Sequence, residues 1–526
     1  MVGLVALVLP LSASAQSGST PTVDWNIYLG GLSSSGGASD ADDKPYGVLN
    51  HRGGATYVTG STNAPYFPKS PNLPMSNGGQ DAFITRLDTA GDVEWSILLG
   101  GEGEDVGRRM AFNPSDETHL YVVGTTTSPS IRNTTRVLGS HKGGKDAFLA
   151  RVELTGEVSW FMYLGDAGDE EGLDLAVYEG PNKSLVAYIV GSREGEVSIA
   201  RVDLPIASGD PVLKWNTNFG SPGLDAAYAV ATIPLPSDQV YVGGIVRGPV
   251  SQSGQTLRLL NNPGGGDSDG FLAELNPTDG KVKWLKYLGG DAEDDVRDIF
   301  YQTERIKLVV VGNTSSTHFP RPATQAGKEL FLLRMDYDTA TGTTSVITEQ
   351  LRLGAGGELM EGHAALDREG NIYVGGQTTS RTLALNAFDP HPQFDAPPQN
   401  DGFVAMVDPM LTGRVWMSYV GGSTFTPESV TGLAAGPEGK ISFVGHSAAP
   451  NRSGLLVRDP GTGYSGGQDG FVFRLTVDPL AKPQVPGTDL EAPLGWSCNS
   501  VSGGGPLALL TLALLALRRA RRRSAR

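Results

Sequence analysis

Acidic side chains recur at one position of this sequence, and their oxygen atoms could hold a cation. Asp105, Glu170, Asp225 and Asp294 each stand five residues after the first glycine of a phrase that reads Leu-Gly-Gly or a close variant. Hard cations such as Ca²⁺ take six to eight oxygen ligands, and carboxylates supply many of them. If the loops that carry these residues converge, the four carboxylates predict a site for Ca²⁺ or for a cationic ligand.

The same carboxylates have a structural alternative. An acidic residue in a loop can accept hydrogen bonds from the backbone of that loop, and this role needs no metal. The segment Asp267-Ser268-Asp269-Gly270 is too short a match to an EF-hand loop to decide the question. The sequence leaves both interpretations open and favours the loop-capping role.

Catalytic motifs fail on inspection. The seven histidines are scattered without the spacing of metal ligands, and no Gly-x-Ser-x-Gly phrase occurs. The stretch from Gly139 to Lys145 has the spacing of a phosphate-binding loop, but Asp146 stands where Ser or Thr is required. Paired acids abound, so a glycosidase-type pair stays open. The sequence therefore predicts a protein that is not an enzyme.

The acidic loops belong to a repeat that runs through most of the chain. Its opening phrase has a tryptophan or, once, a glutamate four residues before the Leu position, and successive copies lie 55 to 70 residues apart. An apolar run ending in glycine and an Asp-Ala-Phe or Asp-Gly-Phe phrase follow with the same period. Such periods are typical of stacked or circular repeats. The marker positions are Trp25, Trp95, Trp160, Trp215, Trp284, Glu349 and Trp416.

Each repeat reads as four short strands. In the second copy these are predicted at about 108–112, 120–124, 147–152 and 158–164, where β-branched and aromatic residues are bounded by Gly, Asn, Asp or Pro. Four strands repeated radially is the arrangement of a β-propeller.

The two ends of the array predict a closed ring. The repeats begin with an unaccompanied outer strand at 23–29 and finish with three strands at about 430–434, 440–445 and 470–475. The first strand can complete the last blade. We therefore predict an all-β fold, a propeller of seven four-stranded blades closed by an N-terminal strand.

The repeats resemble the SBBP family of β-propeller repeats. The matching phrases include Tyr28-Leu29-Gly30-Gly31, Tyr57-Val58-Thr59-Gly60, Phe67-Pro68 and Gly78-Gly79-Gln80-Asp81-Ala82-Phe83. The resemblance covers about residues 23–478. It implies a propeller and a surface setting, and it implies no catalytic residues.

The terminal segments predict export and display. Residues 1–15 read as a signal peptide that ends at Ala15, after an apolar stretch and an Ala-Ser-Ala cleavage site. Residues 479–497 are proline-rich, as expected of an extended stalk.

Residues 498–526 contain a short apolar run, predicted to be a transmembrane helix, and an arginine tail. With Cys498, the only cysteine, this segment resembles the MYXO-CTERM sorting signal. The resemblance implies cleavage near Cys498 by a sorting protease and a location on the cell surface or outer envelope. An ordinary C-terminal anchor is the alternative and implies the same location.

Charge and location together set the functional hypotheses. The net charge of −16 disfavours nucleic acid as a partner. We expect a surface-displayed, non-catalytic module for binding, adhesion or scaffolding, with an extracellular peptide, polysaccharide or envelope protein as its ligand. The alternatives are an extracellular hydrolase or lyase that uses carboxylates at the propeller mouth, and a calcium-stabilised structural envelope protein. Two carboxylates that converge in a deep pocket with shifted pKa values would favour the enzyme.

Overall fold

A computed structural model of the chain describes most of the repeat region. The described residues are 20–31, 41–64, 66–70, 79–180, 183–205, 209–233, 239–252, 257–261, 263–302, 307–323, 327–338, 343–354, 357–389, 400–421, 428–447 and 468–478. Within them the chain forms short β-strands, with a turn of 3-10 helix at Pro437–Gly439.

The strands form seven sheets, each a blade of a propeller. Blade 1 contains β2 to β5, which are Asp43–Asn50, Thr56–Thr62, Asp81–Leu87 and Val93–Leu99. Blade 2 contains β6, β7, β8, β9 and β10, which are Asp105–Phe112, His119–Thr126, Val137–Leu138, Asp146–Glu153 and Val158–Tyr163. Blade 3 contains β11 to β14, which are Glu170–Glu179, Leu185–Arg193, Glu196–Leu204 and Val212–Phe219.

The remaining blades follow the same order from the inner to the outer strand. Blade 4 contains β15 to β18, which are Ala226–Ile233, Gln239–Val246, Asp269–Leu275 and Val282–Leu288. Blade 5 contains β19 to β22, which are Asp294–Gln302, Lys307–Thr314, Glu329–Asp338 and Thr343–Leu353. Blade 6 contains β23 to β26, which are Leu359–Leu366, Ile372–Thr378, Asp401–Val407 and Arg414–Val420. Blade 7 contains β27 to β29 and β1, which are Glu428–Ala435, Lys440–Ser447, Asp469–Thr476 and Thr22–Leu29.

The ring closes through the first strand of the chain. β1 pairs antiparallel with β29, from Thr22 opposite Thr476 to Leu29 opposite Gly470. The first outer strand therefore supplies the fourth strand of the last blade. The predicted fold, a seven-bladed propeller with an N-terminal strand closure, is confirmed.

The hydrophobic core lies between neighbouring blades. One cluster joins Tyr57 and Ile84 of blade 1 to Leu120 and Val122 of blade 2, all of them buried. A sheet is apolar on both faces here because each face packs against the next blade.

Tryptophan joins one blade to the next. The Trp95 indole N–H donates to the carbonyl of Leu154 in blade 2 at 3.1 Å. Beneath the ring lies Gly156, where φ is +90° and an added Cβ would lie 3.1 Å from the indole, so this position requires glycine. Trp25 and Trp215 make the same bond to Thr89 and Pro277 of the following blades.

One blade junction lacks the tryptophan and uses an arginine. Glu349 occupies the Trp position in blade 5. The fully buried Arg334, directly opposite it on β21, bonds to the Glu349 carboxylate and to the Pro409 carbonyl of blade 6. The equivalent Arg201 donates to the Pro277 carbonyl at 2.7 Å beside the Trp215 indole, so at the junction of blades 5 and 6 the guanidinium acts without the indole.

Every inner strand contains a register irregularity near its start, and this feature determines which side chains face the central channel. A β-bulge inserts a residue into one strand and re-aims the side chains beside it. The irregularities lie at Pro45/Gly47, Gly107/Arg109, Gly172/Asp174, Ala227/Ala229, Val296/Asp298, Met360/His363 and Val430/Gly432.

The predictions for the two ends of the chain lie outside the described residues. This applies to the signal peptide with Ala15, the stalk at 479–497 and the sorting segment with Cys498. In the part of the chain that the structure describes, no helix is long and apolar enough to span a bilayer.

Candidate functional site

The carboxylates predicted to bind a cation are bonded to their own loops and to residues at the end of the second strand of the same blade. Asp105 accepts hydrogen bonds from the Gly101 N–H at 3.0 Å, from the Ser128 hydroxyl at 2.7 Å and from the Thr126 hydroxyl. Asp294 accepts the equivalent bonds from the Gly290 N–H at 2.9 Å and the Ser316 hydroxyl at 2.6 Å.

The other two predicted residues are held in a similar way. Asp225 accepts hydrogen bonds from the backbone and hydroxyl of Ser221 and from the Arg247 N–H at 2.8 Å. Glu170 accepts a bond from the Asp166 N–H at 3.0 Å and lies 3.3 Å from the Arg193 guanidinium.

The structure does not bring the four carboxylates together. Each is buried at the start of the inner strand of a different blade. Burial raises the pKa of Asp105 and Asp294, and it raises the pKa of Glu170 to about 7. The described residues contain no group of three His, Cys, Asp or Glu side chains that could hold a metal ion. The contacts observed are those of loop caps, and the Ca²⁺ site stays a prediction.

The central channel instead presents charged and aromatic side chains from the bulged positions. A cavity of about 420 Å³ lies at its mouth, and we call it the mouth cavity. Its side chains come from all seven blades, so the ring itself builds the site. The lining residues are Tyr46, Arg108, Arg109, Glu171, Leu173, Tyr228, Arg297, Glu361, His363, Thr431 and His446.

Two arginines of the mouth cavity are stacked on tyrosines of the preceding blade. The guanidinium carbon of Arg108 lies 4.5 Å from the ring centre of Tyr46, and that of Arg297 lies 4.4 Å from the ring centre of Tyr228. Such cation–π contacts fix a cation's position while leaving its N–H groups available to a ligand.

Arg297 is positioned further by a carboxylate. Its Nε and Nη2 bond to the two oxygens of Asp295, both at 3.0 Å. Asp295 also accepts the side-chain amide of Asn313 at 2.7 Å. This bidentate pair holds the guanidinium plane in one orientation, as recognition of a planar anion requires.

The acids that line the mouth cavity have partners of their own. Glu171 is ion-paired with Lys145 at 2.8 Å. Glu361 accepts hydrogen bonds from Gln377 at 2.8 Å and from Ser429 at 3.1 Å. These contacts leave carboxylate oxygens that can also accept hydroxyl groups of a ligand.

A second layer of charged residues lies one position further along the same strands. We call Arg109, Asp174, Asp298 and His363 the inner layer. Arg109 lies on blade 2 and His363 on blade 6, yet the Arg109 Nη2 is 3.0 Å from the His363 Nδ1. The other end of the Arg109 guanidinium donates to the Tyr46 carbonyl. The inner layer therefore links opposite parts of the ring across the channel.

The two aspartates of the inner layer bond to the backbone of the next blade. Asp174 accepts the Val230 N–H at 2.8 Å, and Asp298 accepts the Ala364 N–H at 2.7 Å. Burial raises the pKa of Asp174 to about 6 and that of Asp298 to about 7, although Arg109 opposes both shifts. Burial lowers the pKa of His363 well below its ordinary value, assisted by Arg109, so this imidazole is neutral at pH 7.

The sequence did contain a signal for these positions, although it is not a repeated residue. The channel residues follow each loop acid by three and four positions, as Arg108 and Arg109 follow Asp105 and as Arg297 and Asp298 follow Asp294. The residue type changes from blade to blade at this spacing. A search for residues that recur therefore passes over them.

Comparison with known proteins finds a partial relative by sequence and several proteins of similar fold. It assigns no family. No family model matches the chain. The chain is 27% identical over 251 residues to the regulatory protein FlaEY of Caulobacter vibrioides, a match that covers 42% of this chain and 24% of that protein. The chain thus spans about a quarter of the length of the curated relative it matches.

Similar solved structures are also distant. The polysaccharide lyase Uly1 is 9% identical with a TM-score of 0.39, and the match covers 87% of this chain and 99% of that one. The β-fructofuranosidase of Schwanniomyces occidentalis is 10% identical with a TM-score of 0.31, covering 90% and 97%. Identities this low carry no information about activity.

Proposed function

We propose that this protein is a non-catalytic binding module whose mouth cavity takes an anionic ligand, with an acidic polysaccharide as the class that fits best. The observation that carries this proposal is the pair of stacked guanidinium groups of Arg108 and Arg297 facing one cavity. The lining of the mouth cavity carries three arginines and two glutamates, in a chain whose net charge is −16.

The chemistry of the lining supports a saccharide with carboxylate or sulfate groups. A fixed guanidinium binds such groups through paired N–H donors. Glu171, Glu361 and the tyrosine hydroxyls supply acceptors and donors for sugar hydroxyl groups.

We also propose that the module is exported and displayed at the cell surface. The support is the sequence of the terminal segments: the signal-like residues 1–15, the proline-rich 479–497 and the sorting-like 498–526. A propeller displayed at the cell surface would meet the polysaccharides that surround the cell.

Isothermal titration of the full chain with oligogalacturonate, and with neutral cello-oligosaccharide as the comparison, tests the binding proposal. We expect saturable binding of the acidic oligomer alone. The double variant Arg108→Gln/Arg297→Gln should bind at least tenfold more weakly, because both guanidinium groups are lost.

The matched control is Arg132→Gln, which removes the same charge from an arginine that is half-exposed and outside the channel. It should bind as the unaltered chain does. Equal binding of acidic and neutral oligomers, or an equal loss in the control, would show that the mouth cavity is not an anion site.

A second candidate function has one specific observation in its favour. Asp174 and Asp298 line the same channel with raised pKa values, beside the neutral His363, as expected of acid and base groups in a lyase or hydrolase. Incubation with acidic polysaccharides, followed by chromatography of the products, tests it. An enzyme would release shorter products, and Asp298→Asn would stop the release while leaving binding intact. Binding without any products favours the non-catalytic module.

A further inference from the structure

The outer strand of each blade is a sheet edge, and several blades cover this edge with their own chain. In blade 2 the segment between the second and third strands returns as β8, which pairs parallel with β10. In blade 4 Leu259 forms a bridge to Leu285, and in blade 6 Leu385 forms a bridge to Met417. Covering an edge in this way satisfies backbone groups that would otherwise be open to another strand.

The covering bond is made at the same position in each of these blades. It is donated by the N–H of the residue that follows the tryptophan of the outer strand. Its acceptor is a carbonyl of the returning segment: Phe161 to Arg136 at 2.9 Å, Leu285 to Arg258 at 3.0 Å, Met417 to Leu385 at 2.8 Å and, more weakly, Ser96 to Lys69 at 3.5 Å.

In blade 3 the connection between the second and third strands is too short to return along the outer edge. These strands, β12 and β13, are joined by a two-residue turn at Glu194 and Gly195, with φ of 49° and 83°. The residue that follows Trp215 is Asn216, which lies opposite Ala200. This is the register in which Phe161 lies opposite Ala150 in blade 2. The Asn216 N–H therefore points outward.

The edge of β14 is open to solvent. Val212 is 52% exposed and Leu213 39% exposed, and Asn216 is also exposed. Within the described ranges, no main-chain group pairs with the outer side of β14 itself, although Gly220, just past its end, pairs with Ser251 of blade 4. The Gln252 side chain also donates to the Thr217 hydroxyl at 3.0 Å, so the open part of the edge is the part from Val212 to Asn216. Among its described residues blade 5 shows no returning strand either, but a longer connection joins its second and third strands, so blade 3 is the clearer case.

We propose that the outer edge of β14 is a docking site for an extended strand of a partner polypeptide, with a basic residue followed by aliphatic ones. Two of the four covering segments indicate this chemistry, since Arg136-Val137-Leu138 and Arg258-Leu259-Leu260 occupy the matching edges of blades 2 and 4, and Lys69 accepts the same bond in blade 1. Strand addition supplies affinity through main-chain hydrogen bonds and selectivity through alternate side chains.

A second copy of the chain fits this edge less well than a peptide strand. One ladder of eight residues is short of the roughly 1,600 Å² that a stable protein–protein interface buries. The net charge of −16 also opposes self-association, whereas it attracts a basic strand.

The probe for the experiment is a fluorescein-labelled peptide with the sequence of residues 133–140 of this chain, Asn-Thr-Thr-Arg-Val-Leu-Gly-Ser. Its anisotropy is measured during titration with the full chain. We expect saturable binding that Asn216→Pro weakens at least tenfold, because proline removes the outward N–H. Asn216→Ala keeps that N–H and should bind within twofold of the unaltered chain.

A second measurement covers the case in which Asn216→Pro unfolds blade 3. A probe with N-methylated Val and Leu has the same side chains and fewer main-chain donors, and the unaltered chain should not bind it. Equal binding of both probes would overturn the proposal. So would an equal loss in Asn216→Ala, or a concentration-dependent dimer in sedimentation that Asn216→Pro abolishes.

Discussion

Charged residues at the blade junctions and in the central channel have different roles, although they lie only three or four positions apart on the same strands. At the junctions an acid recurs in blade after blade and is bonded to its own loop and to the end of the second strand, as Asp105 is to Gly101 and Ser128. In the channel the residue changes with each blade, and Arg108 or Arg297 faces a cavity. What recurs in this ring builds the fold, and what varies is available to a ligand.

The β-bulge is the physical reason for the difference. The loop acid precedes the bulge and is enclosed by glycines of the preceding phrase and by hydroxyl groups. A Cβ added to Gly100 would lie 2.4 Å from the Asp105 carboxylate, so only glycine allows this packing. The bulge then turns the following side chains toward the channel, where a ring of seven strands leaves open space.

The largest effect is expected at a recurring arginine whose usual neighbour is replaced. Arginine stands opposite the Trp position at Arg86, Arg151, Arg201 and Arg474, and Arg334 is the copy that faces Glu349 instead. It is fully buried and joins blades 5 and 6 through Glu349 and Pro409. Arg334→Met leaves the Pro409 carbonyl without its donor and the Glu349 carboxylate with Lys307 as its remaining cation, and it should lower the free energy of unfolding by about 3 kcal/mol. Urea denaturation measures the change.

The control for Arg334 is Lys281→Met, at a lysine that is 66% exposed and 3.7 Å from Asp279. It should change the stability by less than about 0.5 kcal/mol. If Arg334→Met were no more costly than the control, the arginine would not replace the indole at this junction.

The next effect concerns the recurring acids. Asp105→Ala leaves the Gly101 N–H and two hydroxyl groups without their acceptor in a buried loop, and it should cost about 2 to 3 kcal/mol. Binding in the mouth cavity should stay unchanged. Glu102→Ala, at an exposed acid in the same loop, should alter neither property. A loss of ligand binding in Asp105→Ala without a loss of stability would reverse the roles assigned to the two regions.

The sequence was sufficient for the fold because the fold depends on what recurs. Seven tryptophan or glutamate positions, the unaccompanied strand before the first loop and the missing strand after the last copy together predicted the blade number and the closure. The sequence also predicted two alternative roles, cation binding and loop capping, for Asp105, Glu170, Asp225 and Asp294. The structure shows the hydrogen bonds of the capping role.

The channel could not be predicted in the same way. The fixed spacing from the loop acid marks the place of the bulge, but it does not show which side chains turn toward the channel. Without the bulge, Arg108 and Arg109 would face opposite sides of a regular strand. The contact between Arg109 and His363 joins residues 254 positions apart in the sequence. Such a pairing follows from ring closure, which brings blades 2 and 6 to the same channel.

The next effect is the dependence of stability on pH. It distinguishes the acids that are buried at the blade junctions and in the channel from acids that are exposed. Burial raises the pKa of Asp43 to about 7, above its ordinary value of 3.8. Because the folded state binds this proton more tightly than the unfolded state, the stabilisation is complete below about pH 4 and is lost as the pH rises through 7. Asp43 alone should raise the free energy of unfolding by about 2.6 kcal/mol when the pH falls from 8 to 5.

Thermal unfolding across this range measures the pH effect, with a higher melting temperature expected at pH 5. Glu170, Asp174 and Asp298 act in the same direction, since burial raises their pKa values also. Asp43→Asn should flatten the profile, whereas Asp42→Asn, at a neighbour whose side chain is partly exposed, should not. Stability that rises from pH 5 to pH 8 would contradict the buried, protonated state of these acids.

The smallest effect is expected from calcium, and it tests the alternative role of the junction acids. Their oxygens already accept N–H and O–H groups, and the described residues bring no three metal-binding side chains together. Millimolar Ca²⁺ or EDTA should therefore leave the melting temperature of the full chain within about 1 °C, whereas a site filled at 100 times its dissociation constant would add about 2.7 kcal/mol. A clear rise that Asp294→Asn abolishes would establish the calcium site and make the recurring acids a ligand-binding region as well.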